Sequence, residues 1–70
     1  MKISYKKLWK LLIDCDMKKK QLAEAAGISS ASIAKLGRNE NVNTDILLKI
    51  CVALNCDISD IMEVISDEEI

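Results

Sequence analysis

The sequence predicts a small all-α domain built from five short helices. Its 70 residues are enough for one domain, because a chain of this length buries a single core. Half of the residues are hydrophobic and 30% are charged, a mixture too apolar for a disordered tail. Apolar residues recur at intervals of three and four along most of the chain, which is the spacing of one helix face.

The first three helices have recognisable ends. Ser4 is the expected N-cap of the first helix, in which apolar residues from Leu8 to Cys15 share one face and lysines lie opposite. The second helix ends at Gly27, a residue suited to the left-handed conformation that terminates helices. The third begins at Ser29 as N-cap, and the isoleucines on either side of that cap match a hydrophobic staple. These isoleucines are Ile28 and Ile33.

The second half of the chain contains a loop and two further helices. The polar stretch RNENVNT forms the loop, where Asn39 can adopt the left-handed conformation. A fourth helix starts near Asn43 or Thr44 and ends at Asn55, and it is apolar almost all round, which predicts a buried central helix. Asp57 caps a short fifth helix that carries Ile58, Ile61, Met62 and Ile65. Alternatively, MKISY and MEVI pair as strands, and the acidic tail at residues 66–70 frays.

Charge is divided unequally between the two halves. Residues 1–38 hold nine cations and three carboxylates, a net charge of +6, whereas residues 39–70 hold one lysine and eight carboxylates, a net charge of −7. Such asymmetry indicates one face that binds a polyanion, although a short chain also divides its charge unevenly by chance.

The composition argues against an enzyme, a metal site and a membrane protein. The chain has no histidine, which removes the commonest general base and metal ligand. Cys15, Cys51 and Cys56 lack CxxC spacing, and we expect the first two to be buried. Three cysteines without a signal-peptide pattern favour the cytoplasm, and no apolar run reaches the ~18 residues of a membrane span. We therefore expect no cofactor, no metal and no small-molecule ligand.

The segment KKKQLAEAAGISSASIAKLGRN, residues 18–39, carries the strongest functional signal. It places two short helices around a tight glycine turn, with the small Ala23 and Ala26 where the helices must cross closely. The later of these two helices, the third of the chain, directs polar and basic side chains outward. The pattern therefore predicts a helix-turn-helix whose third helix enters a DNA major groove. The residues expected to face inward are Leu22, Ala23, Ala26, Ile28, Ile33 and Leu36.

The match continues through GISSASIAKLGRNENVNTDILLKICVALNCDISDIMEV. Over roughly residues 5–65, the chain resembles compact stand-alone members of the Cro and phage-repressor (XRE-type) family of transcriptional regulators. The resemblance implies a five-helix lambda-repressor-like domain that binds double-stranded operator DNA as a homodimer. It also implies a regulatory role, with repression or autoregulation as the expected effect.

The resemblance also assigns residues to the DNA contact. Base edges would meet the first turn of the third helix and Lys35, which can reach guanine O6 and N7. Lys18, Lys19 and Lys20 lie at the start of the second helix, where their positive charge opposes the helix dipole. A phosphate bound there would turn this unfavourable interaction into a favourable one. Alternatively, the three lysines are simply solvated. The expected base contacts are Ser29, Ser30, Ala31 and Lys35, and the expected phosphate contacts are Lys18, Lys19, Lys20, Gln21, Arg38, Asn39 and Asn41.

Two questions stay open from the sequence. Ile61, Met62, Val64 and Ile65 provide more apolar surface than a short terminal segment needs for docking, so they are dimer candidates or ordinary core residues. The acidic second half and a pI near 5.3 do not attract DNA. An alternative function is therefore a protein-interaction module, similar to an antitoxin, that uses the same fold with weak or no DNA binding.

Overall fold

Four α-helices and a small two-stranded sheet make up the part of the chain that the computed structural model describes, residues 1–66. The sheet joins the two ends of this part, and the helices lie between the strands in sequence. Within residues 1–66, no helix has the length and apolarity needed to cross a bilayer. The elements are β1 (Lys2–Ser4), α1 (Lys6–Asp14), α2 (Lys19–Ala26), α3 (Ser30–Gly37), α4 (Thr44–Leu54), a 3₁₀ turn (Ile58–Asp60) and β2 (Glu63–Ile65).

All four helices contribute to one hydrophobic core. Its members are at most 5% exposed, and each fully buried aliphatic side chain stabilises the fold by about 1.5–3 kcal/mol relative to an exposed one. Only one residue of α2 and one of α3 are fully buried, so the helix-turn-helix rests on the core through few side chains. The core consists of Tyr5, Leu8, Leu12, Leu22, Leu36, Leu47, Ile50 and Ile61.

A left-handed residue follows each of the four helices, and the sequence predicts the helix end at three of them. The fourth is Asp16, which follows α1 with a φ of 55°. Gly27 follows α2 with a φ of 70°, and Asn39 follows α3 with a φ of 56°. Asn55 ends α4 with a φ of 51°. Asparagine tolerates this conformation better than other residues with a Cβ, which is why these positions could be identified in advance.

The expected fifth helix is a three-residue 3₁₀ turn, and the chain then forms a strand. The N–H of Asp57 donates to Asp60 Oδ2 at 2.9 Å, which closes the turn. Strand β2 pairs antiparallel with β1, with Ile65 opposite Lys2 and Glu63 opposite Ser4. The alternative of paired terminal strands is thus confirmed, because Glu-Val-Ile finds its backbone partners in β1 and its β-branched residues suit a strand. Residues 67–70 of the expected frayed tail lie outside the described part.

Helix α4 is buried on one side only, which corrects the expectation of a helix buried all round. Leu47 and Ile50 face the core, but Leu48 is 57% exposed and Val52 is 82% exposed. Helix α2 and the 3₁₀ turn pack against α4, and the side that carries Leu48 and Val52 is open to solvent. Cys15 also differs from expectation, since it lies exposed at the C-terminal end of α1.

Tyr5 connects the start of α1 to the loop that follows α3. Its backbone N–H donates to Asn39 Oδ1 at 3.1 Å, and its hydroxyl donates to the carbonyl oxygen of Glu40 at 3.0 Å. The Tyr5 side chain is almost fully buried, and this burial raises its pKa above the ordinary value of 10.0. Ser4, expected as the N-cap, instead precedes the cap and accepts a hydrogen bond from the Lys6 N–H.

We expect Tyr5→Phe to lower the free energy of unfolding by about 0.5–1.5 kcal/mol, because it removes one hydrogen bond and keeps the ring in the core. Urea unfolding followed by far-UV circular dichroism measures this difference. Equal stabilities of the two proteins at neutral pH would contradict the role assigned to the hydroxyl.

The same pair of proteins isolates the titration of Tyr5. The unfolded chain releases the Tyr5 proton near pH 10.0, whereas the folded protein holds it to higher pH. The stability due to neutral Tyr5 is therefore complete below pH 10 and is lost as the pH rises through the folded pKa. The difference in the free energy of unfolding between the wild type and Tyr5→Phe should accordingly narrow above pH 10.

Candidate nucleic-acid interface

A glycine turn sets the relation between α2 and α3. The N–H groups of Gly27 and Ile28 both donate to the carbonyl oxygen of Ala23, at 2.9 and 3.0 Å, and this closes α2. A Cβ at Gly27 would meet nothing within 4 Å. Glycine is therefore favoured here by its positive φ rather than by lack of space. Ile28 then packs against the core and leads the chain into α3.

Ser29 caps α3 as predicted. Its Oγ accepts a hydrogen bond from the Ser32 N–H at 3.2 Å, and the two hydroxyl oxygens lie 3.2 Å apart. The Ser29 hydroxyl is thus already engaged in holding the first turn of the helix. Of the four expected base contacts, Ser29 is the one whose polar atom is occupied within the protein.

The outward face of α3 is a stripe of small and basic residues. Ser30, Ala31 and Lys35 are exposed on the face opposite the buried Leu36. Ala34 is exposed as well, and it lies on the same stripe because it follows Ser30 by four positions and Ala31 by three. The sequence reasoning missed Ala34, although this spacing would have identified it. With Arg38 at the end of the helix, this surface, called the α3 stripe below, consists of Ser30, Ala31, Ala34, Lys35 and Arg38.

The N-terminal end of α2 lies open and is surrounded by lysines. Lys18, at the N-cap position, has an extended backbone and no side-chain cap, and all three lysines are exposed. Gln21 Oε1 accepts a hydrogen bond from the Lys18 N–H at 2.8 Å, which leaves its amide nitrogen free to donate outward. N–H groups at a helix start attract anions, so this end of α2 can hold a phosphate.

Lys19 has a structural contact that the sequence did not reveal. Its Nζ lies 4.5 Å from the centroid of the Trp9 ring, a cation–π contact worth about 0.5–1 kcal/mol at an exposed site. A methyl group placed on Gly37 would lie 4.0 Å from the same Nζ. Lys19 therefore links α2 to α1, whereas Lys18 and Lys20 form no ion pair within residues 1–66.

Arg38 is paired with a carboxylate. Its Nε donates a hydrogen bond to Glu40 Oε2, and both side chains are about half exposed. This hydrogen bond, assisted by the charge of Lys35, holds the pKa of Glu40 below its usual value of 4.5. A phosphate that binds Arg38 must therefore compete with Glu40.

Asn39 and Asn41 occupy different positions in the loop after α3. The Oδ1 atom of Asn39 is engaged with Tyr5, so only its amide nitrogen is available. Asn41 is exposed and lines an open cleft of about 240 Å³ together with Lys35 and Ser32. Asn41 thus lies next to the C-terminal half of the α3 stripe.

The four dimer candidates do not form one surface. Ile61 is fully buried in the core and has no area for a partner, which removes it from the candidate set. Met62 and Ile65 are half-buried, and Val64 is 64% exposed. Sequence reasoning also missed an exposed apolar pair, Leu48 and Val52 on α4, since it treated that helix as wholly buried.

The cysteines lie away from the α3 stripe. Cys51 and Cys56 are half-buried at the C-terminal end of α4, and burial raises the pKa of the Cys56 thiol to about 11. Among residues 1–66, no group of three or more histidine, cysteine or acidic side chains is placed to hold a metal ion.

Comparisons with known proteins agree with this geometry. Residues 7–67 match the family model of the Cro/C1-type helix-turn-helix DNA-binding domain. The chain is also similar to the transcriptional regulator VanUg, known from a crystal structure, with 57% sequence identity and a TM-score of 0.89. That similarity covers 94% of this chain and 88% of the other. No curated protein sequence matches the chain.

Ser29→Ala should lower the free energy of unfolding by about 0.5–2 kcal/mol, because it removes the cap of α3. Ser30→Ala is the matched control, since the exposed Ser30 hydroxyl forms no hydrogen bond within residues 1–66. Most exposed substitutions change stability by about 0.5 kcal/mol or less. Urea unfolding of the two variants provides the comparison. Equal losses from both substitutions would contradict the assignment of Ser29 as the cap.

Proposed function

The chain belongs to the Cro/C1-type helix-turn-helix DNA-binding family, and from this premise we propose that it is a sequence-specific transcriptional regulator that binds a palindromic operator as a homodimer. We infer that it acts as a repressor or an autoregulator. The observation that carries the proposal is the α3 stripe, which is exposed, contains two cations and has no carboxylate on the helix itself.

Helix α3 has the dimensions and chemistry to read a major groove. An α-helix with its side chains is about 10–12 Å across, and the groove is about 12 Å wide. Lys35 is the side chain on the α3 stripe best suited to guanine O6 and N7, while Ala31 and Ala34 suit the methyl group of thymine. Ser30 can donate or accept a hydrogen bond at a base edge. Direct readout is consequently sparse.

Contacts to the DNA backbone supply most of the affinity in this proposal. The open N-terminal end of α2 offers N–H groups to one phosphate, and Lys18 and Lys20 add positive charge beside it. Asn41, which is exposed near the other end of the α3 stripe, contacts a second phosphate in this proposal. Such contacts fix the orientation of the protein on the duplex but carry no sequence information.

A homodimer compensates for the small number of base contacts. Two recognition helices about 34 Å apart read two successive major grooves on one side of the DNA. We propose that Val64, with Met62 and Ile65 beside it, contributes to the dimer contact, and Leu48 and Val52 are a second candidate surface. Repression by occlusion needs only that the bound dimer cover the promoter.

Titration against duplex DNA that contains the promoter of its own gene tests the proposed function. We expect tighter binding to this duplex than to a scrambled one, with two chains per operator. The logarithm of the association constant should fall linearly with the logarithm of the salt concentration. Equal and negligible binding to both duplexes at low salt would favour the protein-interaction alternative.

Two lysine variants separate base contacts from backbone contacts. Lys35→Ala should cost about 1–3 kcal/mol on the operator and relax the preference at one base position, whereas Lys20→Ala should weaken operator and scrambled DNA alike. Lys20 is preferred to Lys19 because Lys19 also contacts Trp9. Fluorescence anisotropy with operators substituted at single positions measures both effects. If neither variant changes binding, α3 is not the recognition helix.

A further inference from the structure

The four α-helices of residues 1–66 all end in the same backbone motif. After each helix, the residue that follows the left-handed residue donates its N–H to a carbonyl oxygen five positions earlier, at 2.9 to 3.0 Å. This is the Schellman motif, which commonly brings the side chains of those two positions into contact. The four pairs of positions are Leu12 and Met17, Ala23 and Ile28, Lys35 and Glu40, and Cys51 and Cys56.

The pair at the end of α4 consists of two thiols. In α1 and α2 the corresponding positions hold apolar side chains, and in α3 they hold a cation and a carboxylate. At the end of α4, by contrast, both positions hold a side chain that can be oxidised. Both thiols are half-buried and free in this structure.

Cys51 and Cys56 are close enough for a disulfide. The Cys56 N–H donates to the Cys51 carbonyl oxygen at 3.0 Å. The two Cα atoms are consequently at most about 7 Å apart, because this hydrogen bond and the adjoining backbone bonds connect them. Since the bond angles along this path are far from straight, the separation falls within the ~4.4–6.8 Å that a disulfide spans.

The two thiols also influence each other. Burial is the main reason why the pKa of Cys56 rises to about 11, and the charge and hydrogen bonding of Cys51 add to the rise. Such an effect requires neighbouring thiols. Cys56 also lines an open cleft of about 470 Å³, together with Asn55 and Ser59. A small reagent can therefore approach this side of the pair.

We propose that Cys51 and Cys56 are a site of reversible oxidation, at which a small-molecule disulfide converts the two thiols to an intramolecular disulfide. The Cys56 thiolate attacks one sulfur of the reagent and releases the other half as a thiolate. The Cys51 thiolate then attacks the Cys56 sulfur of this mixed disulfide and releases the second half. The protein thiols lose two electrons and two protons, and the reagent takes them up as it becomes two thiols.

The disulfide closes the C-terminal end of α4 covalently. It joins α4 to the segment that leads into the 3₁₀ turn, and side chains of both pack against the core. The bond restricts the unfolded chain in an arrangement that the folded chain already has, so oxidation stabilises the fold. This inference concerns a site away from the α3 stripe and does not depend on the proposed function.

Incubation of the wild type with oxidised glutathione tests the proposal. The raised pKa of Cys56 leaves little thiolate at neutral pH, so the reaction is slow and is followed to equilibrium. Free thiols are then blocked with N-ethylmaleimide, and the protein is digested with trypsin. Cleavage after Lys18 and Lys49 separates Cys15 from the pair, and mass spectrometry identifies the state of each peptide.

We expect the peptide that contains the pair to lose two hydrogen atoms. This form should exceed the glutathione-bearing form by at least about tenfold, because the second thiol is already adjacent. The exposed Cys15 is the internal control and should carry glutathione. A pair that mainly carries glutathione, or a cross-link between the pair and Cys15, would overturn the proposal.

The same incubation in concentrated urea separates the effect of the fold from closeness in sequence. The ratio of the intramolecular disulfide to the glutathione-bearing form should fall several-fold, because unfolding removes the Schellman motif. An unchanged ratio would show that the structure contributes nothing to the bond, and the proposal would be wrong.

Thermal unfolding measures the consequence for the fold. In Cys15→Ser, which removes the exposed thiol, oxidation should raise the melting temperature by about 5–10 °C, and dithiothreitol should reverse the gain. The matched control C15S/C51S retains one thiol of the pair and should show no such gain. A melting temperature that falls on oxidation would show that the bond distorts the end of α4, which contradicts the proposed site.

Discussion

The two hydrogen bonds of Tyr5 to the loop after α3 are the constraint on which the DNA-facing surface depends. Helix α3 places only Leu36 fully in the core, so packing alone gives it a narrow base. Tyr5 holds the C-terminal end of α3 in place through its hydrogen bonds to Asn39 and Glu40. Because a buried donor without a partner costs about 1–3 kcal/mol, the Tyr5 N–H and the Asn39 side chain hold each other in one arrangement. The glycine turn at the other end completes the support.

Local sequence signals predicted the ends of α2, α3 and α4, but not the start of α1, where Ser4 is not the cap. Gly27, Ser29, Asn39 and Asn55 act through their own backbone preferences or through hydrogen bonds to near neighbours, so their roles are readable from a few adjacent residues. The 3₁₀ turn and β2 were harder to predict, because β2 forms only when β1, some sixty residues earlier, supplies its hydrogen bonds. The all-α expectation therefore failed where pairing is non-local.

In the candidate site too, local sequence signals predicted some features, whereas others depend on how the elements pack. The outward direction of Ser30, Ala31 and Lys35 follows from helical periodicity, and the structure places all three at the surface. The burial of Ile61 and the exposure of Val52 depend on which helices are neighbours, which composition does not specify. The partner of Lys19 was likewise hidden, since Trp9 comes within its reach only after α1 and α2 have packed. Which of these residues touch DNA stays a prediction.

The pairing of β1 with β2 brings the first and last described residues side by side. Lys2 lies opposite Ile65, and this edge of the sheet borders an open cleft that contains Lys35. A peptide attached before Met1, such as an affinity tag, accordingly starts beside Lys35 of the α3 stripe and not on a remote surface.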